Sequence, residues 1–261
     1  MQPTIIVYVL GTAGCGKSTF TASAANWLVE NGFSVKTVNL DPGADLLPYE
    51  PTVDVRDWLT LADVMEEYGL GPNGAQVVAA DMVALHRTKI IDEIEIGDTQ
   101  FVLVDTPGQL ELFAFRESAK EIVNGIIPES SVLLFLIDPF NARTPSGYIS
   151  QVMLANLCKL RFSVPTIELI SKGDMVGPDL RDLLEKWQEY PDHLYDEMVR
   201  EASESPSLGN EFSIGLLRSM EDLELLVPHS IVSAADMEGF RSIYQTIQLT
   251  FGGGEDQDRT G

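Results

Sequence analysis

The stretch Ile5-Ile6-Val7-Tyr8-Val9-Leu10-Gly11-Thr12-Ala13-Gly14-Cys15-Gly16-Lys17-Ser18 decides the fold. Its first six residues form an apolar, largely β-branched run, the pattern of a short strand buried on both faces. From Gly11 the text fits G-x-x-x-x-G-K-[ST]. Helical sequence follows from Lys17 to about Asn31, with Gly32 placed to close it. Strand, glycine-rich turn and helix are the context in which this motif wraps a chain of phosphates. Glycines let the backbone approach without a Cβ in the way. The loop N–H groups and the helix N-terminus supply fixed positive potential. Lys17 is expected at the β- and γ-phosphates and the Ser18 hydroxyl on a Mg²⁺ ion. Gly11, Thr12, Ala13, Gly14, Cys15, Gly16 and Thr19 are expected around the rest of the phosphate chain. Cys15 needs only to be small there, and Cys158 falls on an apolar helix face and reads as core.

Working outward, further strand-like runs are 34–40, 101–105, 132–138, 166–171 and 230–233, separated by room for helices. Helical spacing is expected over 59–68, about 80–95, 146–161, 180–202, 211–226 and 239–249, although the end of the 80–95 stretch alternates and also reads as strand. Residues 41–51 form a proline-rich loop, and Gly69–Ala75 reads as a tight loop. Strand–helix alternation predicts an α/β fold, a mainly parallel sheet with helices on both faces. No linker-like shift divides the chain. One domain over 1–251 is expected, with a helical insertion near 175–228 and a disordered tail at 252–261.

The run Phe101–Asp105 ends in a carboxylate and continues as Thr106-Pro107-Gly108-Gln109. An acid at the end of a buried strand stands where a second Mg²⁺-holding group is required, directly or through water. In this D-x-P-G-Q string, Gly108 can offer its N–H to a γ-phosphate, and Gln109 can orient an attacking water. Ser171-Lys172-Gly173-Asp174 and Ser233-Ala234-Ala235 resemble the paired base-reading motifs of GTPases. The Asp174 carboxylate suits the N1–H and N2–H₂ donors of guanine, which adenine lacks. The Lys172 stem packs along the base, and the Ala234 N–H can meet O6. Ser171 replaces the usual Asn or Thr with a shorter hydroxyl, which weakens an expected supporting contact.

The charge balance is 17 Lys and Arg against 40 Asp and Glu, a formal net charge of −23. That disfavours direct nucleic-acid binding and attraction to anionic membranes. No apolar run approaches the roughly 20 residues of a membrane span. Two cysteines make no disulfide framework, and His86, His193 and His229 are dispersed, so no metal cluster is expected. The N-terminus lacks a basic region, which makes the cytoplasm the expected location. Lysine is scarcer than arginine, 7 against 10, compatible with a salt-rich cytoplasm.

With these motifs in place the chain resembles the GPN-loop GTPases, a SIMIBI-class P-loop family of archaea and eukaryotes. The tripeptide is Gly71-Pro72-Asn73, and Asn39-Leu40-Asp41-Pro42, Val53-Asp54-Val55-Arg56-Asp57 and Asp105–Gln109 match as well. The resemblance runs from about residue 5 to 250 and is weakest over 175–228. It implies a GTPase using GTP/GDP and Mg²⁺ and acting as a homodimer. Each Gly71-Pro72-Asn73 loop would reach the partner's nucleotide, with Asn73 at the γ-phosphate in trans. Asp41 matches the switch I acid that positions or activates water, and Gln109 the switch II glutamine; with Lys17 and Asn73 they are the catalytic candidates. Ser18 and Asp105 are the metal candidates. Eukaryotic members are linked to RNA polymerase assembly, so a protein client is expected, with polymerase subunits as candidates.

No arginine lies in the phosphate loop or in D-x-P-G-Q. Arg56, Arg116 and Arg143 are expected at the surface or in ion pairs, and slow intrinsic turnover follows. Asp54, Asp57 and the Glu66-Glu67 pair read as caps or solvated faces, and Trp27, Trp58 and Trp187 as core or interface. Two alternatives remain open on sequence alone: an ATP-using enzyme of the same fold, such as a kinase or a partition-type ATPase, and a non-hydrolysing nucleotide-dependent scaffold.

Overall fold

The strand that opens the chain, β1 (Ile5–Gly11), stands in the middle of the sheet with every residue buried. The computed structural model describes residues 4–94, 97–126, 128–204 and 208–251. The segment expected as a disordered tail, 252–261, lies outside the described residues. Seven strands align in the order β3-β2-β4-β1-β5-β6-β7. They are β2 (Val35–Asn39), β3 (Val53–Asp54), β4 (Phe101–Asp105), β5 (Ser131–Ile137), β6 (Thr166–Ile170) and β7 (Ser230–Ile231). Every ladder is parallel, so the sheet is wholly rather than mainly parallel.

Alternation along the strands assigns the two faces. Ile5, Val7 and Val9 of β1, with Phe101, Leu103, Val132, Leu134 and Leu136, pack against α1 (Lys17–Glu30) and α11 (Phe240–Phe251). Ile6, Tyr8 and Leu10, with Val102, Val104, Leu133, Phe135 and Ile137, face a thicker layer. That layer holds α2 (Leu61–Tyr68), α3 (Pro72–Leu85), α4 (Arg87–Ile94), α5 (Leu110–Ala114), α6 (Glu117–Gly125) and α7 (Pro145–Phe162). It continues through α8 (Pro178–Glu189), α9 (Pro191–Glu204) and α10 (Leu208–Asp222), three helices between β6 and β7. Each fully buried aliphatic side chain contributes about 1.5–3 kcal/mol relative to exposure, so a polar residue anywhere from Ile6 to Leu10 would be strongly destabilising. No helix among the described residues is long and apolar enough to cross a membrane.

The structure corrects three expectations. The tight loop at Gly69–Ala75 is half helix: Gly69, at φ +63°, closes α2, Gly71 caps α3, and Pro72 opens it. A proline fits a first helical position because its missing N–H has no partner to lose there. The helix expected over 80–95 breaks at His86 into α3 and α4; residues 95 and 96 lie outside the described residues. The helix expected over 180–202 breaks at Tyr190, because the residue before Pro191 is driven out of helical geometry.

Parallel strands bring all their C-terminal ends to one edge of the sheet. Gly11, Asn39, Asp105, Ile137, Ile170 and Ile231 therefore open onto one crevice, where ligands of open α/β sheets bind.

Candidate functional site

The turn after β1 is shaped by its glycines. Gly11 has φ +151°, and a Cβ there would lie 2.5 Å from Cys15 Sγ and 2.6 Å from the Leu136 carbonyl. Gly16, at φ +96°, delivers the chain into α1. Lys17 is only 6% exposed. Its ammonium donates to three carbonyls, Gly11 O at 2.9 Å, Thr12 O at 3.1 Å and Gly108 O at 3.1 Å. Ala13, Gly14 and Thr19 are exposed at the mouth, with Thr12, Gly16 and Ser18 half-buried. Cys15 is fully buried, and burial pushes its thiol above the usual range. It is a small filler beneath the turn, not a nucleophile. Cys158 lies in the core as expected, pushed up to about 12 by burial.

Two loops converge on Lys17. Asp41, after β2, accepts the Gly43 N–H on Oδ1 and the Gly108 N–H on Oδ2, each at 2.9 Å. The Gly108 N–H expected at a γ-phosphate is therefore occupied by a carboxylate of the same chain. Residues 41–54 form an arch with fixed feet. Asn39 Nδ2 donates to Asp54 Oδ1 at 2.9 Å and to Asp41 O at 3.2 Å, and the Arg56 guanidinium grips Asp54 with three bonds while donating to Ala44 O at 2.8 Å. Burial opposes ionisation of Asp54, but the bonds from Arg56 and Asn39 outweigh it and hold the carboxyl below its usual range. Arg56 is thus a structural clamp, and Arg116 is paired with Asp81 while Arg143 is exposed. Asp54 accepts the Arg56 N–H, which makes it the cap expected. Gln109 is exposed at the N-terminus of α5.

Asp105 ends β4 directly opposite Val9 and Asn39 in register. It is 1% exposed. Burial pushes its carboxyl up to about 6, opposed by the nearby Ser18 hydroxyl, the hydrogen bond from Tyr49 and the charge of Lys17. Tyr49, half-buried in the arch, donates its hydroxyl to Asp105 Oδ2 at 3.0 Å; burial and the neighbouring Asp105 charge keep the phenol protonated. Oδ1 of Asp105 is buried with no hydrogen-bond partner. Next to it, Thr106 pins the strand end by donating to Val9 O at 2.8 Å. Among the described residues no group of three His, Cys, Asp or Glu side chains gathers to hold a metal alone. An orphaned carboxylate oxygen on a side chain influenced by the nearby Ser18 hydroxyl does fit a Mg²⁺ whose remaining ligands come from phosphate and water.

The two base loops clasp each other. Gly173 donates its N–H to Val232 O at 2.9 Å, and Ser233 Oγ donates to Asp174 Oδ1 at 3.1 Å, while Ser23 of α1 holds Ala234 O at 2.8 Å. Asp174 remains exposed. Lys172 takes a left-handed conformation, φ +56°, and its ammonium meets Asp138 Oδ2 at 3.1 Å and sits 5.5 Å from the Phe140 ring. Asp138 and Phe140, after β5, complete this wall and were not legible as site residues; only their place just past a strand end marked them. The Ser171 hydroxyl reaches Cys15 O at 2.9 Å and Ile137 O at 3.1 Å, tying its loop to the phosphate loop. Below these loops lies a buried triad. His229 Nε2 is 2.7 Å from Glu168 Oε2, and His229 Nδ1 is 3.0 Å from the Tyr148 hydroxyl.

Asn73 stands apart. It is exposed at the second position of α3, and among the described residues no hydrogen bond joins it to Lys17, Asp41, Asp105 or Gly108.

A parallel sheet with the glycine-rich turn at the end of its central strand, a buried lysine at the following helix and an acid at the neighbouring strand end define a P-loop nucleoside triphosphatase. The family described as "Conserved hypothetical ATP binding protein" matches residues 9–252. The GPN-loop GTPase PAB0955 of Pyrococcus abyssi is 31% identical over 241 residues, covering 92% of this chain and 94% of that one. GPN-loop GTPase 2 of Saccharomyces cerevisiae is 31% identical over 259 residues, covering 94% of this chain and 73% of that one. The crystal structure of PAB0955, described as a GTPase in apo form, superposes with a TM-score of 0.84 at 29% identity, covering 96% of this chain and 99% of that one. The chain belongs to the GPN-loop GTPase family, and it is a GTPase.

Proposed function

We propose that this GTPase is a Mg²⁺-dependent homodimeric switch in which the Gly71-Pro72-Asn73 corner of each protomer completes its partner's site. We further propose that it serves protein assembly, with RNA polymerase subunits as candidate clients. The observation that carries the switch reading is the Asp41 carboxylate on the Gly108 N–H, beside the Lys17 ammonium. An anionic group already bridges the two loops at the place a γ-phosphate would claim.

In GTP hydrolysis a water oxygen bonds to the γ-phosphorus, the bond to the β,γ-bridging oxygen breaks, and GDP and phosphate leave. Lys17 exchanges its three carbonyl partners for phosphate oxygens. The Gly108 N–H turns from Asp41 to the γ-phosphate, which frees the Asp41 carboxylate to accept a hydrogen bond from the attacking water. Gln109, exposed beside it, supplies a second orienting group. Ser18 and Asp105 would hold the cation, which supplies charge neutralisation on the β- and γ-phosphates. Asn73 and the start of α3 present polar groups outward, suited to a site on another protomer. With no arginine in these loops, charge stabilisation is modest and slow turnover is expected. The tie to polymerase assembly rests on family resemblance, and the acidic surface favours a client with a basic face.

Mass measurement in solution with GDP and with a non-hydrolysable GTP analogue, together with single-turnover phosphate release, tests the reading. A monomer in both states removes the trans role of Asn73. ATP displacing labelled GDP as well as GTP does would remove the guanine assignment and favour the adenine nucleotide that the family description names.

A further inference from the structure

The arch over residues 41–54 does more than carry Asp41. Its feet are fixed by Asn39, Asp54 and Arg56, and between them one side chain turns inward to the end of β4. That side chain is Tyr49, whose hydroxyl donates to Asp105 Oδ2 at 3.0 Å. The two oxygens of this buried carboxylate are thereby divided: Oδ2 is held, and Oδ1 has no partner. A carboxylate with both oxygens free can rotate or bind through either one. A carboxylate with one oxygen held presents the other in a fixed orientation, which is how partners behind a metal ligand tune affinity.

We infer that Tyr49 is a positioning residue for the divalent-cation site, holding Asp105 through Oδ2 so that Oδ1 is the oxygen offered to the cation or its water. This rests on the Mg²⁺ reading above. It also gives the arch a second connection to the nucleotide: Asp41 answers to the γ-phosphate, and Tyr49 answers to the metal. The competing explanation is that Tyr49 only packs the arch in place. Its ring would do that without its hydroxyl.

Tyr49→Phe keeps the ring and removes the donor. Release of a fluorescent GDP analogue is followed across a Mg²⁺ titration and again in excess EDTA, for wild type and variant. The wild type should hold GDP longer as Mg²⁺ rises. In the variant the half-effective Mg²⁺ concentration should rise about tenfold, the lower end of the usual loss when a ligand's supporting partner is removed. The release rate in EDTA should stay as in the wild type. Superimposable Mg²⁺ titrations overturn the role of Tyr49 and leave the metal reading standing. A variant whose release quickens equally with and without Mg²⁺ also overturns it, since that is the mark of a packing role. A wild type indifferent to Mg²⁺ overturns both this inference and the metal reading beneath it.

Discussion

Asp41 accepts the backbone N–H of Gly108 at 2.9 Å, joining two loops that lie 67 residues apart in sequence. The bond places the acid proposed to act on water against the amide proposed to receive the γ-phosphate. In the proposed reaction this one contact must open. Asp41→Asn keeps the shape and still accepts the Gly108 N–H, but it lacks the charge that a water-orienting base needs. Single-turnover hydrolysis should fall by about 10²-fold, while GDP affinity stays close to wild type. Unchanged hydrolysis would leave Gln109 as the orienting group.

Asp174 is the proposed base reader, with one oxygen accepting from Ser233 and the side chain otherwise exposed. Asp174→Asn exchanges an acceptor for a donor against guanine N1–H and N2–H₂. Two charge-assisted bonds at about 1.5–3 kcal/mol each put the expected loss of GTP affinity at 10²-fold or more, to roughly 10⁴-fold. Xanthosine triphosphate, which presents an acceptor there, should bind the variant better than GTP does. Competition binding against labelled GDP reads both.

Trans completion of the site predicts complementation. Lys17→Ala should abolish tight nucleotide binding, and Asn73→Ala should slow hydrolysis with little change in GDP affinity. Mixing the two impaired proteins pairs an intact Lys17 in one protomer with an intact Asn73 in the other. Turnover should reappear in the mixture, and phosphate release that stays at the level of the separate proteins would count against a shared site.

Asp105 gives the pH dependence its sign. Its folded-state carboxyl is raised to about 6, above an ordinary value of about 3.9, because burial disfavours the charge. A raised group contributes stability that is present below about pH 4 and is lost as pH rises through about 6. The nucleotide-free wild type should lose this increment over that window, and the difference from Asp105→Asn isolates it in urea melts. Cation binding needs the ionised form, so the Mg²⁺ effect on GDP release should run the opposite way. It should weaken as pH falls below about 6, by up to about tenfold per unit for one competing proton.

The triad below the base loops sets a stability test. Glu168 is 5% exposed and His229 6% exposed, each bonded to the other. His229→Leu leaves the buried Glu168 without its hydrogen-bond partner, at a cost of about 1–3 kcal/mol. Replacing Glu168 with Leu as well should recover most of it. Urea denaturation of the single and double variants decides between a coupled hydrogen-bonded pair and simple packing.

Much of this was legible in the residues. An apolar run ending in G-x-x-x-x-G-K-S fixed β1 and the phosphate turn, and strand-like runs spaced by helical sequence implied the parallel sheet. The base loops were legible because Lys172, Asp174 and Ser233 carry local motifs at strand ends. Other features depend on contacts that local sequence does not encode. Tyr49 lies in a proline-rich segment with no periodicity, and its partner is 56 residues away. His229 and Glu168 meet across 61 residues, so each reads alone as an isolated polar residue. The start of α3 is hidden in the sequence because Gly-Pro-Asn is a turn signal first, and a proline at a helix start looks locally like a proline in a loop.

Lys17 closes the account of the acidic chain. Among the described residues it is the one lysine or arginine that is buried, and neutral carbonyls rather than carboxylates hold its ammonium. In a chain with 40 acids, the neighbouring Asp105 feels this charge without a direct bond to it. A phosphate chain entering the turn would replace neutral acceptors with charged ones, and charge-assisted bonds are the stronger kind. The burial of Lys17 on carbonyls thus favours a polyanion at this one place, on a protein whose surface repels them.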